Sequence, residues 1–321
     1  MSSHIMIIYR MLRLITAQDD NERRLDRILR KYLPQLPLSC LHRLLRKGKI
    51  TLDGARALPG DRVMAGQIIE VPESEIPAYG IKKQKKDGLV KNLKEAAPLE
   101  ILFHDSGFLV LNKPSGIAVH GPDSLEAQVL SYLIPLLPPS LSFKPGPLHR
   151  LDKGTSGIIV FSTSLNGAQT FSALLREGKI HKQYLAIVDG IIEGEKTWND
   201  VLFRDKKQKK TFASWDIENF PEKGKKAQTG IKTLAIGRDH SLILTDIETG
   251  RTHQIRAQAS IHGHPLTGDR KYGSKAPGNF LLHAWKMEAA SLDLKFKAPL
   301  PGKFRQKILE LFGEKALRKL Q

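Results

Sequence analysis

The spacing of apolar side chains changes along the chain, and each spacing names an element. Near the start, Leu25, Ile28, Leu29 and Tyr32 recur at i, i+3, i+4 and i+7, while Arg23, Arg24, Arg27 and Arg30 mostly face elsewhere. That is the buried stripe of an amphipathic helix, which Pro34 ends. A second helix is predicted from Ser39, a good N-cap, through Leu41, Leu44 and Leu45 to Gly48. A short strand at Ile50–Leu52 runs into Asp53-Gly54, a hairpin signal. Gly60-Asp61 makes another turn, and Ile68–Val71 forms a closing strand. From Leu99 onward, strand-like and helix-like segments alternate to the end. Ile158-Ile159-Val160-Phe161 is a continuous apolar run suited to a buried strand. His181–Gly190 reads as another, with Leu185 and Ile187 on one face and Tyr184 and Ala186 on the other. The pattern is α+β, without an internal repeat.

Composition divides the chain further. A basic unit of residues 12–75 precedes residues 76–98, where Lys82, Lys83, Lys85, Lys86, Lys91 and Lys94 accompany few apolar side chains. That stretch predicts a charged, extended linker, with residues 99–321 as the second and larger domain. The chain carries 51 Lys+Arg against 33 Asp+Glu, a net charge of +18, and its sequence pI is about 9.9. Such an excess suits a polyanionic partner, because each phosphate held by Lys or Arg releases a condensed counterion. Cys40 is the single cysteine, which excludes an internal disulfide and a thiolate metal cluster. It is expected in a small core. No apolar run approaches the roughly 18 residues of a membrane span. Met1–Tyr9 is apolar but lacks the basic n-region and small-residue cleavage site of a signal peptide. A cytoplasmic protein is expected, and a monomer, because no long apolar stripe is left unexplained.

Three segments concentrate residue types that do chemistry. The first is His149-Arg150-Leu151-Asp152-Lys153-Gly154-Thr155-Ser156-Gly157, a tight polar loop ahead of the apolar run. It places Asp152 on a loop held by a rigid strand, where catalytic side chains are commonly presented. His149, Asp152 and Ser156 are the residue types of a hydrolase triad, but the strand, Gly-x-Ser-x-Gly and helix context of a nucleophile elbow is missing. The second segment is His181–Gly190, with Tyr184 either a packed aromatic or a functional one. The third is Thr249-Gly250-Arg251-Thr252-His253-Gln254-Ile255-Arg256-Ala257-Gln258, followed by His262-Gly263-His264-Pro265 and Gly268-Asp269-Arg270-Lys271-Tyr272-Gly273. His253, His262 and His264 invite a metal reading, but no Cys or carboxylate falls at a recognised ligand spacing. Arg251 and Arg256 point instead to an anion, either a phosphate or the carboxylate of Asp152.

These segments together resemble the RluA-type pseudouridine synthases. The resemblance rests on His149-Arg150-Leu151-Asp152 with Thr155-Ser156-Gly157, Asn112-Lys113-Pro114-Ser115-Gly116, Lys182-x-Tyr184, Gly250–Arg256 and Leu282-His283-Ala284, in order and spacing. Gln258 departs from the pattern, which usually has His there, after what is expected to be the active-site strand. The first unit resembles the S4 RNA-binding module through Arg24-Leu25-Asp26, Leu44-Leu45-Arg46-Lys47-Gly48, Val63 and Gly66. That unit, together with Val119-His120, is similar to the RluC-type branch, which acts on 23S RNA of the large ribosomal subunit.

The resemblance implies a fold and a chemistry. A small S4-like domain of two helices and a hairpin would precede a catalytic domain with a mostly antiparallel mixed sheet flanked by helices. The reaction would convert uridine to pseudouridine in RNA, before or during ribosome assembly, with no cofactor, cosubstrate or metal. Asp152 would be the catalytic carboxylate, acting by covalent attack or by proton removal from the sugar. Arg256 would pair with it and keep it ionised, and Tyr184 would stack on the base and move a proton. Ile255 would form the apolar floor, Arg150 would hold the extruded nucleotide's place, and Arg251 and His253 would line the substrate site. Arg24, Arg43, Arg46, Lys47 and Lys49 would contact RNA. A synthase acting on transfer RNA or another ribosomal site fits the same motifs. A non-catalytic S4-type RNA-binding protein would not need Asp152, Tyr184 and Arg256 together. A metal-dependent nuclease would need a carboxylate or histidine cluster that the sequence does not present.

Overall fold

The computed structural model describes residues 10–76, 98–215 and 224–320. The lysine-rich stretch 77–97 and Met1–Tyr9 lie outside the described residues. Two compact units emerge. One is built on residues 10–76 with 129–146 and 163–167, and the other on 98–128, 147–162 and the chain from 168 onward.

The first unit has strands β1 (Met11–Ile15), β2 (Thr51–Leu52), β3 (Ala55–Arg56) and β4 (Ile68–Pro72), and helices α1 (Leu25–Tyr32) and α2 (Leu38–Arg46). The strands form one antiparallel sheet in the order β1-β4-β2-β3. Leu25, Ile28 and Leu29 from α1 and Leu41, Leu44 and Leu45 from α2 meet Ile50, Val63, Ile69 and Val71 in its core. Each such side chain stabilises by about 1.5–3 kcal/mol through burial. Tyr32 departs from the predicted stripe: it ends α1 and is exposed, and Leu33 fills the core instead. α2 also starts earlier than predicted, with Pro37 at the N-cap position and Ser39 inside the first turn. The fixed φ of proline suits a helix entrance without a side-chain cap. Cys40 is half-buried at the edge of this core. The Asp53-Gly54 turn has φ of 51° and 78°, the doubly left-handed turn of a two-residue hairpin. Asp20 is fully buried, and its carboxylate accepts from the backbone N–H groups of Ala17, Leu141 and Ser142 and the hydroxyls of Ser140 and Ser142. Local pattern does not reveal this tie across about 120 residues of sequence, because it depends on chain return.

The second unit is a ten-stranded sheet. Its strands are β5 (Ile101–His104), β6 (Phe108–Lys113), β7 (Ser156–Ser162), β8 (His181–Asp189), β9 (Glu195–Asp205), β10 (Lys210–Ser214), β11 (Lys225–Ile236), β12 (His240–Ile247), β13 (Leu282–Ala289) and β14 (Leu294–Lys297). The order is β10-β9-β11-β12-β8-β13-β7-β6-β5, with β14 beside β13. Every neighbouring pair is antiparallel except β13 and β7, which run parallel through His283–Ser156 and Ala284–Gly157. Helices α3 (Leu125–Leu133), α4 (Leu165–Arg176), α5 (Gln254–Ile261) and α6 (Gly302–Arg318) complete the chain. Phe171 and Leu174 of α4 pack with Val110, Ile158 and Val160. Phe304 and Ile308 of α6 pack with Leu185, Ile187 and Leu242. Since side chains alternate along β8, Tyr184 points to the face opposite α6. α5 lies where the sequence predicted a strand. Its Ala257 packs with Leu202, Ala227 and Tyr272.

The parallel junction depends on Gly157. Its φ is +106°, and a Cβ there would run into the carbonyl of Ala284. Gly157→Ala is therefore expected to destabilise the fold by about 3 kcal/mol or more, read as a lowered urea midpoint. A midpoint equal to wild type would refute the close approach. Two buried histidines give a second expectation. His149 accepts from the N–H of Val160, and His283 bridges Ser156 and the carbonyl of Ala298. Burial pushes them down from 6.5 to about 3 and about 4. The unfolded chain takes up these protons first as the pH falls. Stability present above about 6.5 is thus lost progressively toward pH 4, by about 1 kcal/mol per pH unit for each histidine. Urea melts across that window check this, and a flat midpoint would show that the two do not stay neutral in the folded state.

Candidate active site

The site grows from the loop between His149 and Thr155. The N–H of Thr155 donates to the carbonyl of Asp152 at 3.0 Å, closing a tight turn. A second loop, Lys113 to Ile117, straps it from outside. The Lys113 side chain is fully buried, and its ammonium donates to the carbonyls of Pro114 (2.9 Å), Ile117 (2.8 Å) and Lys153 (3.2 Å). Burial lowers its pKa to about 8, against the pull of Asp152, so it stays a cation at neutral pH. The N–H of Gly116 donates to the same Lys153 carbonyl, and the Ser115 hydroxyl to that of Gly154. Asn112–Gly116 is thus a brace for the Asp152 turn.

Arg256, on the first turn of α5, meets Asp152. Its Nη1 donates to Asp152 Oδ2 at 3.1 Å. The other side of the guanidinium is held by a carboxylate with no assigned role in the sequence reading: Nε and Nη2 donate to Asp269 at 2.6 and 2.9 Å. The rings of Tyr272 and Phe280 lie 4.8 and 4.2 Å from the guanidinium carbon. Burial opposes the charge of Arg256, but its bonds to Asp269, then the charge of Asp152, outweigh it and raise its pKa. The Asp269 side chain is only 2% exposed. A lone carboxylate there would be costly, so the fork-to-fork pair is a condition of its burial.

These groups open onto a cleft of about 460 Å³, counting its solvent-open mouth. Arg150, Asp152, Tyr184, Arg251, His253, Ile255 and Arg256 all line it. Tyr184 and Ile255 are buried walls, whereas Arg150 and Arg251 are exposed at the rim. Burial, then the charge of Asp152, raises the Tyr184 phenol well above its usual range, so it keeps its proton. His253 turns its Nε2 to within 3.7 Å of Asp152 Oδ2. Leu282, from the motif next to His283, adds an apolar wall.

Other expected residues are placed elsewhere. His262 stacks on Trp198 and lies 3.2 Å from Asp200, while His264 faces the carbonyl of Asp189. Among the described residues no three His, Cys, Asp or Glu side chains converge as a metal site. Ser156 bonds His283, and His149 bonds the backbone of Val160, so the triad residue types do not converge on Asp152. Gln258 is fully buried, between the Thr229 hydroxyl, Asp200 and the carbonyls of Trp198 and Ala227. Its amide is held entirely within the second unit. In the first unit, Arg24 pairs with Asp26 at 2.9 Å. Arg43 and Lys49 lie 3.5 and 2.8 Å from Glu75. Arg46 and Lys47 are exposed at the end of α2. In the sequence Asp269 is marked only by its place beside Gly268 in the segment that follows the Arg256 motif.

Residues 107–260 match the family described as RNA pseudouridylate synthase. Ribosomal large subunit pseudouridine synthase C of Haemophilus influenzae is 31% identical over 280 residues, covering 84% of this chain and 81% of that protein. The protein of the same name from Escherichia coli is 32% identical over 264 residues, covering 81% and 79%. Among solved structures, human RNA Pseudouridylate Synthase Domain Containing 1 superposes with a TM-score of 0.54 at 25% identity, covering 64% of this chain and 84% of that one. With Asp152 and Arg256 paired in the cleft and relatives of this extent, the chain belongs to the RNA pseudouridylate synthase family.

Proposed function

We propose that this enzyme isomerises uridines of large-subunit ribosomal RNA, with Asp152 acting on the ribose of a nucleotide drawn out of the RNA. The observation that carries the chemistry is the pairing of Asp152 with Arg256 at the bottom of a cleft walled by Tyr184 and Ile255. The names of the bacterial relatives, matched over about four-fifths of both chains, support the substrate.

The reaction breaks the bond from ribose C1′ to uracil N1 and forms one to C5, where a proton is released. Atoms balance without a donor or an oxidant. Asp152 supplies a carboxylate at the sugar, as nucleophile at C1′ or as base at C2′. Tyr184 and Ile255 receive the flat base, and the protonated phenol can donate to it. Base extrusion costs a few kcal/mol, offset by stacking worth about 1–3 kcal/mol and by phosphate contacts. Arg150 and Arg251, at the rim, take the phosphates and the vacated position beside the nucleotide. The first unit acts as an S4-type RNA-binding module, and Arg46 and Lys47 are its leading phosphate contacts. Arg24, Arg43 and Lys49 have acidic neighbours that RNA must displace, so each contributes less.

Two outcomes follow. In cells lacking the protein, specific large-subunit pseudouridines disappear, and wild type restores them while Asp152→Asn does not, with at least about a 10³-fold loss of rate in vitro. Mapping pseudouridines in ribosomal and transfer RNA reads this directly. Loss confined to transfer RNA would move the substrate, and restoration by Asp152→Asn would remove the catalytic assignment. Replacing Arg46 and Lys47 together by alanine is expected to weaken RNA binding evenly across sequences and to reduce the slope of log affinity against log salt by about 1–2. Binding titrations at several salt concentrations test it, an unchanged slope counting against the basic face.

A further inference from the structure

His253 lines the cleft without a step assigned to it, and its surroundings define its protonation. It occupies the N-cap position of α5 with φ 56° and ψ 25°, and its side chain is 12% exposed. Its Nδ1 lies 2.8 Å from the Tyr272 hydroxyl. That hydroxyl accepts from the backbone N–H of Thr211 at 2.9 Å. A peptide N–H can only donate, so the phenol is free to give its own proton to Nδ1. Nη1 of Arg204 stands 3.5 Å from the same nitrogen and can likewise only donate. With Nδ1 an acceptor, the one proton of a neutral imidazole sits on Nε2.

That N–H faces Asp152. The distance from Nε2 to Oδ2 is 3.7 Å, and Oδ2 is also the oxygen that Arg256 Nη1 holds at 3.1 Å. Both donors converge on one oxygen, and among the described residues no hydrogen bond reaches Oδ1. Catalytic hydrogen bonds that are long in the empty enzyme tighten once substrate excludes water. The charged and titratable groups around the imidazole are Asp152, Arg256, Arg204, Lys271 and Tyr272. Burial lowers the imidazole to about 4; Asp152 opposes this, while Arg256, Arg204 and Lys271 add to it.

We propose that His253 is a positioning residue for Asp152: Tyr272 locks it as the neutral Nε2–H tautomer, and with Arg256 it fixes Oδ2 so that Oδ1 is the atom that acts on the ribose. The inference rests on the reading of Asp152 as the reactive carboxylate. A neutral donor orients the carboxylate without a second full charge that would blunt its reactivity. Asp269 serves the same end, because it takes two of the three guanidinium nitrogens of Arg256 and leaves one for Asp152.

The test uses the full chain and release of tritium from C5-labelled uridine in large-subunit ribosomal RNA, with His253→Gln, His253→Asn and Tyr272→Phe. Glutamine can place its amide N–H where Nε2 stands, whereas the amide of asparagine reaches only as far as Nδ1. Asparagine, however, suits the left-handed backbone better. A donor role therefore ranks Gln above Asn in kcat, and a purely structural role ranks Asn above Gln. The expected result is a kcat within about tenfold of wild type for Gln and lower by roughly 100-fold for Asn, with KM little changed. Nitrogen resonances of His253 supply a readout that needs no activity: a neutral Nε2–H form at pH 7 in wild type, and a pKa moved up toward the ordinary value of about 6.5 in Tyr272→Phe. Asn equal to or above Gln, or a Nδ1–H or cationic imidazole in wild type at pH 7, overturns the proposal. Absence of tritium release by wild type, with the Nε2–H form present, would fault the substrate reading and leave the tautomer lock standing.

Discussion

The second unit is organised around a guanidinium shared by two carboxylates. Arg256 gives Nε and Nη2 to Asp269 and Nη1 to Asp152, between the rings of Tyr272 and Phe280. A buried ion pair is rarely a net source of stability, since desolvation consumes most of its Coulomb gain. Its value here is geometric. The Arg256–Asp269 pair has two parallel bonds and leaves the guanidinium almost no freedom to rotate. Asp152 then meets a donor whose position is already determined, so its own orientation is fixed in turn.

The rest of the fold can be understood as the means of holding that arrangement. Asp152 precedes β7, Tyr184 lies on β8 and Leu282 opens β13, and these strands are neighbours in the middle of the sheet. The parallel pairing of β7 with β13 brings the starts of both strands to the same end, and so places the Asp152 turn beside Leu282. Lys113 then ties the turn to its own loop, donating to the carbonyl of Lys153 in the turn and to those of Pro114 and Ile117 in the loop. A lysine is an unusual choice for so dry a place, but three converging carbonyl oxygens match the three donors of an ammonium. Loops usually tolerate movement; this one is tied by backbone and side-chain bonds on both flanks.

The family and its chemistry were legible in the chain because motifs such as His149–Asp152 and Gly250–Arg256 are local, and each keeps its residue types at fixed spacing. The helices of the first unit were legible for a similar reason, since Leu25, Ile28 and Leu29 repeat with helical period. Errors arose where local pattern is ambiguous. The stretch after His253 alternates apolar and polar residues too briefly to separate strand from helix. Its helical form follows from a left-handed His253 and from the packing of Ala257. Tyr32 fitted the apolar stripe by position, yet the helix ends there and its ring has no facing core. Gln258 departs from the family pattern, and only the structure shows its amide wholly occupied inside the protein.

The sequence by itself determined the family and its reaction class, the basic character of the chain and the α+β alternation, because these reside in residue identity and short-range spacing. Only the tertiary structure decided which groups share a hydrogen bond. The family resemblance names the Asp152–Arg256 pair, but no local rule joins Asp20 to Ser142 across 122 positions. It also decided protonation. The imidazole of His253 and the phenol of Tyr184 owe their neutral forms first to burial; the charge of Asp152 then reinforces the neutral phenol and opposes the neutral imidazole. Both are properties of the packed environment, set by the low dielectric of the interior and the direction of its fixed donors, and neither is encoded in any segment alone.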